Sequence, residues 1–319
     1  MILKKINVIE SWVDSNYYSI TKPQIIEASI PVLRQTVLSL TRLYDDTFWK
    51  ELQNEHKVDI AVPDYRHWYC DDDVFDLYVK RIASVHFPVF CMFECPFGFE
   101  YPSKLSETVF ANKLFERTKK LASAIKKNFS DTIILSPAIG IIEEKFQSLY
   151  LDYFVHNRQY FDGYAVHVCS DMTDYSLGKI SSLLTKIMKV LPKKLYITKW
   201  ALPVFDDKII NTKSIGLSGW EPYKTKEAAS RLSKSFSLID SVTIAGSHWF
   251  YVGLGRDLYH PRQSPGGQEF WNQNKMPIVP MEYSNDWSFW HFLGMSESDG
   301  KLKEQFLSTF IKFAQKQNV

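Results

Sequence analysis

The sequence predicts an α/β fold, a single (β/α)8 TIM barrel over residues 1–319, from three observations. Short β-branched and aromatic runs alternate with longer amphipathic stretches, eight such runs can be counted, and no Gly-, Pro- or Ser-rich linker separates them. The expected strands are Lys5 to Ile9, Val37 to Leu43, Asp59 to Pro63, Val89 to Glu94, Thr132 to Ser136, Gly163 to Val168, Leu195 to Lys199 and Ser241 to Trp249.

Helical spacing is clearest at Thr108 to Asn128, where Phe110, Leu114, Leu121 and Ile125 recur on one face. Further helices are expected at Leu177 to Val190, Lys226 to Leu238 and Leu302 to Gln315. The stretch from Tyr251 to Asp286, rich in Gly, Pro, Asn and Gln, reads as a long loop excursion, at about 251–290, before the last helix. An open doubly wound sheet is disfavoured, because no G-x-G-x-x-G follows the first strand and no P-loop occurs.

Composition bounds the function. The chain has 319 residues, 45% hydrophobic and 23% charged, with 38 Lys and Arg against 36 Asp and Glu for a net charge of +2. The basic residues are scattered, so no phosphate-tracking face and no nucleic-acid partner are expected. The first ten residues lack the apolar stretch of a cleavable signal, and no later run approaches eighteen uncharged apolar residues. No membrane partner and a cytoplasmic start are therefore expected. The Lys- and Ile-rich, Ala-poor composition suits an AT-rich genome, with a phage particle or a bacterial polysaccharide cluster as the two settings left open.

Cys70, Cys91, Cys95 and Cys169 are too few and too unevenly spaced for a disulfide framework, and are expected as reduced core thiols. Aromatic residues reach 15%, with nine tryptophans, several in expected loops: Trp12, Trp68, Trp220, Trp271, Trp287 and Trp290. Two readings stay open, stacking surfaces for a ligand and the packing of long loops over a barrel mouth.

In such a barrel the carboxyl ends of the strands face the substrate. The residues expected there are Arg42, Asp45 and Asp46 after strand two, Asp64, Tyr65, Arg66 and His67 after strand three, and Glu94 after strand four. Ser136, His167, Lys199 with Trp200, and His248 with Trp249 follow on strands five to eight. Glu94 closes the apolar run Val89-Phe-Cys-Met-Phe, so its carboxyl group belongs in surroundings that raise its pKa unless a cation is near, as a general acid requires. The alternative is a buried glutamate paired with Arg42 or Lys199. His67, His167 and His248 share no short metal-binding spacing with Asp64 or Glu94, so pocket or core histidines are expected, with no metal and no cofactor.

The order of these ends resembles the retaining glycoside hydrolases of the large (β/α)8 clan. It runs from a strand ending in Glu94 before Pro96, through a long helix and Ser136-Pro-Ala, to Phe161-Asp-Gly-Tyr-Ala-Val-His167, Leu195-Tyr-Ile-Thr-Lys-Trp200 and Gly246-Ser-His-Trp249. The tail Leu293-Gly-Met-Ser-Glu-Ser-Asp-Gly300 before the last helix continues it. The resemblance implies Glu94 as acid/base, with Phe93 in place of the family's asparagine and Cys95 inserted before the proline. It implies His167 beside the nucleophile and Trp249 as the floor of a sugar subsite; Arg42, Asp64, Trp200 and His248 are expected as further substrate-binding residues from their places at the strand ends.

The nucleophile position falls on Lys199. A retaining mechanism needs a carboxylate about 5 Å from the acid, and an ammonium repels the oxocarbenium-like centre instead. A lysine facing Glu94 at about 4 to 5 Å would also hold that group ionised, lowering its pKa by about 1 to 3 units. The reading is a glycosidase-like barrel without standard retaining activity that binds an oligo- or polysaccharide or docks other proteins.

Two alternatives stay open. One is an active inverting or atypical glycosidase, with Glu94 as general acid and Asp64, Glu143, Glu221 or Glu282 as base at about 6.5 to 9.5 Å. The other is a Schiff-base lyase using Lys199, with Glu94 and Tyr196 as its proton relay.

Overall fold

Runs of Val, Ile, Leu, Phe and Cys buried on both faces make the strands, the pattern that a parallel sheet covered by helices demands. The computed structural model describes residues 4–10, 19, 21–54, 58–68, 70–92, 107–140, 151–168, 177–190, 194–200, 204–205, 223–224, 229–230, 233–234, 236–238, 241, 248–253 and 304–319. Beside the two-residue strands Ile139–Gly140, Val204–Phe205 and Tyr223–Lys224, the eight strands of the barrel ring are β1 (Ile6–Glu10), β2 (Val32–Leu38), β3 (Ile60–Pro63), β4 (Val89–Cys91), β5 (Ile133–Leu135), β6 (Gly163–Val168), β7 (Lys194–Trp200) and β8 (His248–Gly253). Each pairs in parallel with the next, and β8 returns to β1, so the eight form a closed ring. This is the (β/α)8 barrel that the alternation predicts.

A helix follows every strand of the ring: α1 (Lys22–Glu27), α2 (Asp46–Asn54), α3 (Asp72–Ile82), α4 (Glu107–Asn128), helical residues 151–156, α5 (Leu177–Val190), helical residues among 229–241, and α6 (Glu304–Asn318). On α4, Leu114, Leu121 and Ile125 are buried as their spacing requires. Alternation along the strands divides the core in two. Ile9, Leu33, Ile60, Val62, Val89, Cys91, Leu135, Ala165 and Tyr196 fill the barrel. Ile6, Val8, Ala61, Phe90, Ile134, Tyr164, Val166, Leu195 and Ile197 face the helices. Each such fully buried large side chain is worth about 1.5–3 kcal/mol.

The ends of the chain close on one another. The side-chain amide of Asn318 accepts the Ile6 amide at 2.8 Å and donates to the Ile6 carbonyl at 2.7 Å, while Lys5 Nζ reaches Gln317 Oε1 at 2.9 Å. Among the described residues no helix is long and apolar enough to cross a membrane.

Two strand spans differ from expectation. The second strand is Val32–Leu38 instead of Val37 to Leu43, and the segment after it winds into a 3-10 turn, Leu40–Arg42. The polar residues Arg34, Gln35 and Thr36 conceal the strand, while Leu38, Leu40 and Leu43 imitate one. The last strand is His248–Gly253 instead of Ser241 to Trp249. His248 and Trp249 therefore begin it, with Trp249 beside Ile6 at the start of β1 and Ile197 in β7, and Tyr251–Gly253 belong to the strand instead of to the loop excursion. The remainder of that excursion, 254–290, lies outside the described residues.

Candidate functional site

The mouth of the barrel is set by where β2, β3, β6 and β7 end. Between Val166 and His167 the pairing of β6 with β7 slips by one residue: Val166 faces Ile197, His167 faces Lys199 and Val168 faces Trp200. The slip leaves Thr198 as the extra residue, wholly buried, its hydroxyl without a hydrogen-bond partner among the described residues. Such a bulge re-aims whatever follows it. It gives Lys199, instead of Thr198, the register position beside His167. Below it Tyr196 is buried inside the barrel, its phenol pushed up to about 12 by burial, with the Asp162 charge adding to the rise. It is held protonated at neutral pH.

Around the ends of β2 and β3 the polar groups bind one another. The Asp64 carboxylate, on a residue 4% exposed, accepts the Leu40 amide at 2.9 Å and the Ser39 hydroxyl at 3.3 Å. The Tyr78 hydroxyl from α3 accepts the Asp64 amide at 2.8 Å and donates to the Leu38 carbonyl. One hydroxyl thus pins the ends of two adjacent strands.

His67 sits in the 3-10 turn Tyr65–Trp68 after β3, buried and packed at ring-centroid distances of 5.0 Å from Trp68, 5.9 Å from Tyr78 and 6.0 Å from Phe75. Its Nδ1–H donates to the Asp64 carbonyl, and burial pushes the imidazole down to about 3. His67 is a neutral core histidine. Asp64 and His67 are brought together as the sequence predicts, in a buried clamp.

Arg42 lies on the rim, more than half exposed, with its guanidinium 2.7 Å from Asp45 and 5.3 Å from the Phe48 ring centre. Ser136 is buried; its hydroxyl accepts the Ala165 amide at 3.1 Å and donates to the Pro137 carbonyl at 3.0 Å. Cys91 is buried and Cys70 half-buried, and burial pushes the Cys70 thiol up. Among the described residues no three His, Cys, Asp or Glu side chains gather to hold a metal ion.

Glu94, Cys95, Cys169, Glu143, Glu221 and Glu282 lie outside the described residues. Of His167, Lys199, Trp200, His248 and Trp249 the backbone alone is described.

Arg117 is the polar residue that sequence reasoning missed. Only 4% exposed, it donates from Nη1 to the His67 carbonyl at 2.5 Å and from Nη2 to the Cys70 carbonyl at 2.6 Å. Nη2 also meets Asp72, and the guanidinium lies 4.6 Å over Phe75. Arg117 and Lys113 hold the Asp72 carboxyl below the usual carboxylate range. Its place three residues after Leu114 and four before Leu121, on the buried stripe of α4, is the signal that could have found it.

No protein-family model matches the chain, and no curated protein does. Solved structures do. A thermostable mutant of a xylanase from Cellvibrio japonicus matches with a TM-score of 0.58 and 10% identity over 99% of this chain and 98% of that one. A fungal β-1,4-galactanase matches with a TM-score of 0.55 and 12% identity over 97% and 99%. An exo-β-1,4-mannosidase from Opitutaceae bacterium strain TAV5 matches with a TM-score of 0.54 and 11% identity over 99% and 60%. The likeness is one of fold. The chain is a glycoside-hydrolase-like barrel in architecture.

Proposed function

We propose that this barrel binds an oligo- or polysaccharide across its carboxyl-end mouth and does not perform retaining hydrolysis. What supports the reading is the slip between β6 and β7, which gives Lys199 the register position beside His167, together with the resemblance to retaining glycoside hydrolases, which would put the nucleophilic carboxylate at this residue. Support for a glycan comes from the neighbours: a xylanase, a galactanase and a mannosidase share the fold, and another, with a TM-score of 0.53, was solved with xylotriose.

In this proposal Glu94 stands at the acid/base position. An ammonium at Lys199 opposes the positive charge that develops on the anomeric carbon, and it keeps Glu94 ionised so that the glutamate has no proton to give. Trp200 and Arg42 supply apolar and hydrogen-bonding surface to the sugar.

The test pairs binding with turnover. Xylotetraose, galactotetraose and mannotetraose are titrated by calorimetry, and the corresponding aryl glycosides are assayed for hydrolysis. At least one tetramer is expected to bind, with no turnover in the wild type or in Glu94→Gln. Hydrolysis by the wild type that disappears in Glu94→Gln would establish an active glycosidase, and failure to bind any sugar would leave the barrel as a docking scaffold for proteins.

A further inference from the structure

Between the end of β2 and the start of α2 the chain displays one aromatic side chain to solvent on a turn built to keep it there. Tyr44 is 74% exposed and, among the described residues, makes no side-chain hydrogen bond and no ring contact. The backbone beneath it is tied at successive positions: Arg42 N–H to the Ser39 carbonyl at 3.0 Å, Leu43 N–H to Leu40 at 3.1 Å, and Asp45 N–H to Arg42 at 3.0 Å. The buried Trp49 indole donates to the Arg42 carbonyl at 2.9 Å, and Asp64 holds the Leu40 amide from the neighbouring strand end. Leu43, buried to 1%, anchors the residue before Tyr44.

The turn continues from the mouth. Along β2, Leu33 packs inside the barrel, and Val37 shares its parity at the carboxyl end, where it is 50% exposed. A ligand lying in the mouth over Val37 that extends past β2 meets this turn next.

We infer that Tyr44, flanked by Arg42 and Thr41, forms an outer subsite for a neutral oligosaccharide, an inference that rests on the glycan-binding reading above. A pyranose ring offers an apolar C–H face bordered by hydroxyls, which matches a solvent-exposed tyrosine ring carrying a phenolic hydroxyl at its edge. Tyrosine supplies that area with two side-chain torsions to order, at low entropic cost. The local charge selects a neutral sugar. Arg42 is paired with Asp45 and Arg81 with Asp46, so the turn carries no net field to draw a uronate or sulfated chain.

The test titrates the wild type, Tyr44→Ala and Tyr44→Phe with the three neutral tetramers, with the disaccharide of whichever binds, and with tetragalacturonate. Tyr44→Ala is expected to weaken the tetramer about five- to tenfold while leaving the disaccharide and the melting temperature unchanged. Tyr44→Phe retains most of the affinity. Equal tetramer binding by wild type and Tyr44→Ala would overturn the subsite while leaving the glycan reading intact. Tighter binding of tetragalacturonate would overturn the neutral occupant, and absence of any wild-type binding would overturn both readings.

Discussion

The carboxylate of Asp64 takes the backbone amide of Leu40 at 2.9 Å, so the residue that follows the third strand fixes the turn that follows the second. An ionised acceptor in such a place is worth about 1.5–3 kcal/mol. Asp64→Ala is expected to lower the unfolding free energy by that amount in urea denaturation, whereas Asp64→Asn, which keeps an acceptor, loses less than half as much. Equal losses in the two variants would show that the carbonyl-like oxygen is not what matters.

His67 makes the fold acid-sensitive. Its folded pKa lies at about 3, below the ordinary 6.5, because burial outweighs the opposing hydrogen bond to Asp64 and the Asp64 charge, with Arg117 adding to the fall. The unfolded chain therefore binds a proton between these values that the folded chain refuses. Stability carries no penalty above about pH 6.5 and falls as pH drops toward 3, by about 1.4 kcal/mol per unit from this group. Across pH 6.5 to 4, His67→Gln is expected to lose less stability per unit than the wild type by that slope. Parallel curves would locate the acid sensitivity elsewhere.

Arg117 holds two backbone carbonyls, the buried one of His67 and the part-buried one of Cys70, with one fork. Each buried acceptor left unpaired costs about 1–3 kcal/mol. Arg117→Met should destabilise the protein by about 3 kcal/mol, and Arg117→Lys should recover little, since an ammonium lacks the planar fork that reaches both carbonyls. Chemical denaturation of the two variants decides this, and full recovery by lysine would show that charge alone suffices.

Asn318 performs a comparable task at the other end of the chain, satisfying both the N–H and the C=O of Ile6. Asn318→Ala removes both bonds from the first strand. A loss of about 1–2 kcal/mol is expected, with faster amide exchange at Ile6 than at Val8, whose amide is held by the Pro31 carbonyl at 2.9 Å.

Periodicity made the barrel legible where strands are uniformly apolar. β6 and α5 fall where the sequence puts them, because Gly163–Val168 and Leu177–Val190 are bounded runs with one period each. β2 was displaced because the barrel tolerates a polar stretch: Arg34 turns outward and exposed, while Gln35 stays part-buried in a strand that reads as a loop. Among the polar residues after β3, His67 is a buried core histidine, one of the two settings its sequence context predicts. Chain order gathers Asp64 and His67, yet only packing shows that the Asp64 carboxylate is taken by Leu40 and Ser39 and the His67 ring by the Asp64 carbonyl. The bulge at Thr198 is equally hidden, since nothing in Ile-Thr-Lys-Trp distinguishes a regular strand from one with an extra residue.

That bulge frames the most direct trial of the proposed site. With Lys199 in register with His167, Lys199→Glu would supply the carboxylate that a retaining mechanism needs and remove the cation proposed above to keep Glu94 ionised. Two changes follow from one substitution: a group able to attack the anomeric carbon appears, and the pKa of Glu94 rises beside a second negative charge, restoring its proton. Hydrolysis of the aryl glycoside whose sugar binds should rise at least tenfold over the wild type, a barrier change of about 1.4 kcal/mol, and should vanish again in the double variant with Glu94→Gln. Its rate should fall on the alkaline side as Glu94 loses the proton it must donate. A Lys199→Glu protein that binds sugar as tightly as the wild type yet turns over none would show that Lys199 does not occupy the nucleophile's place.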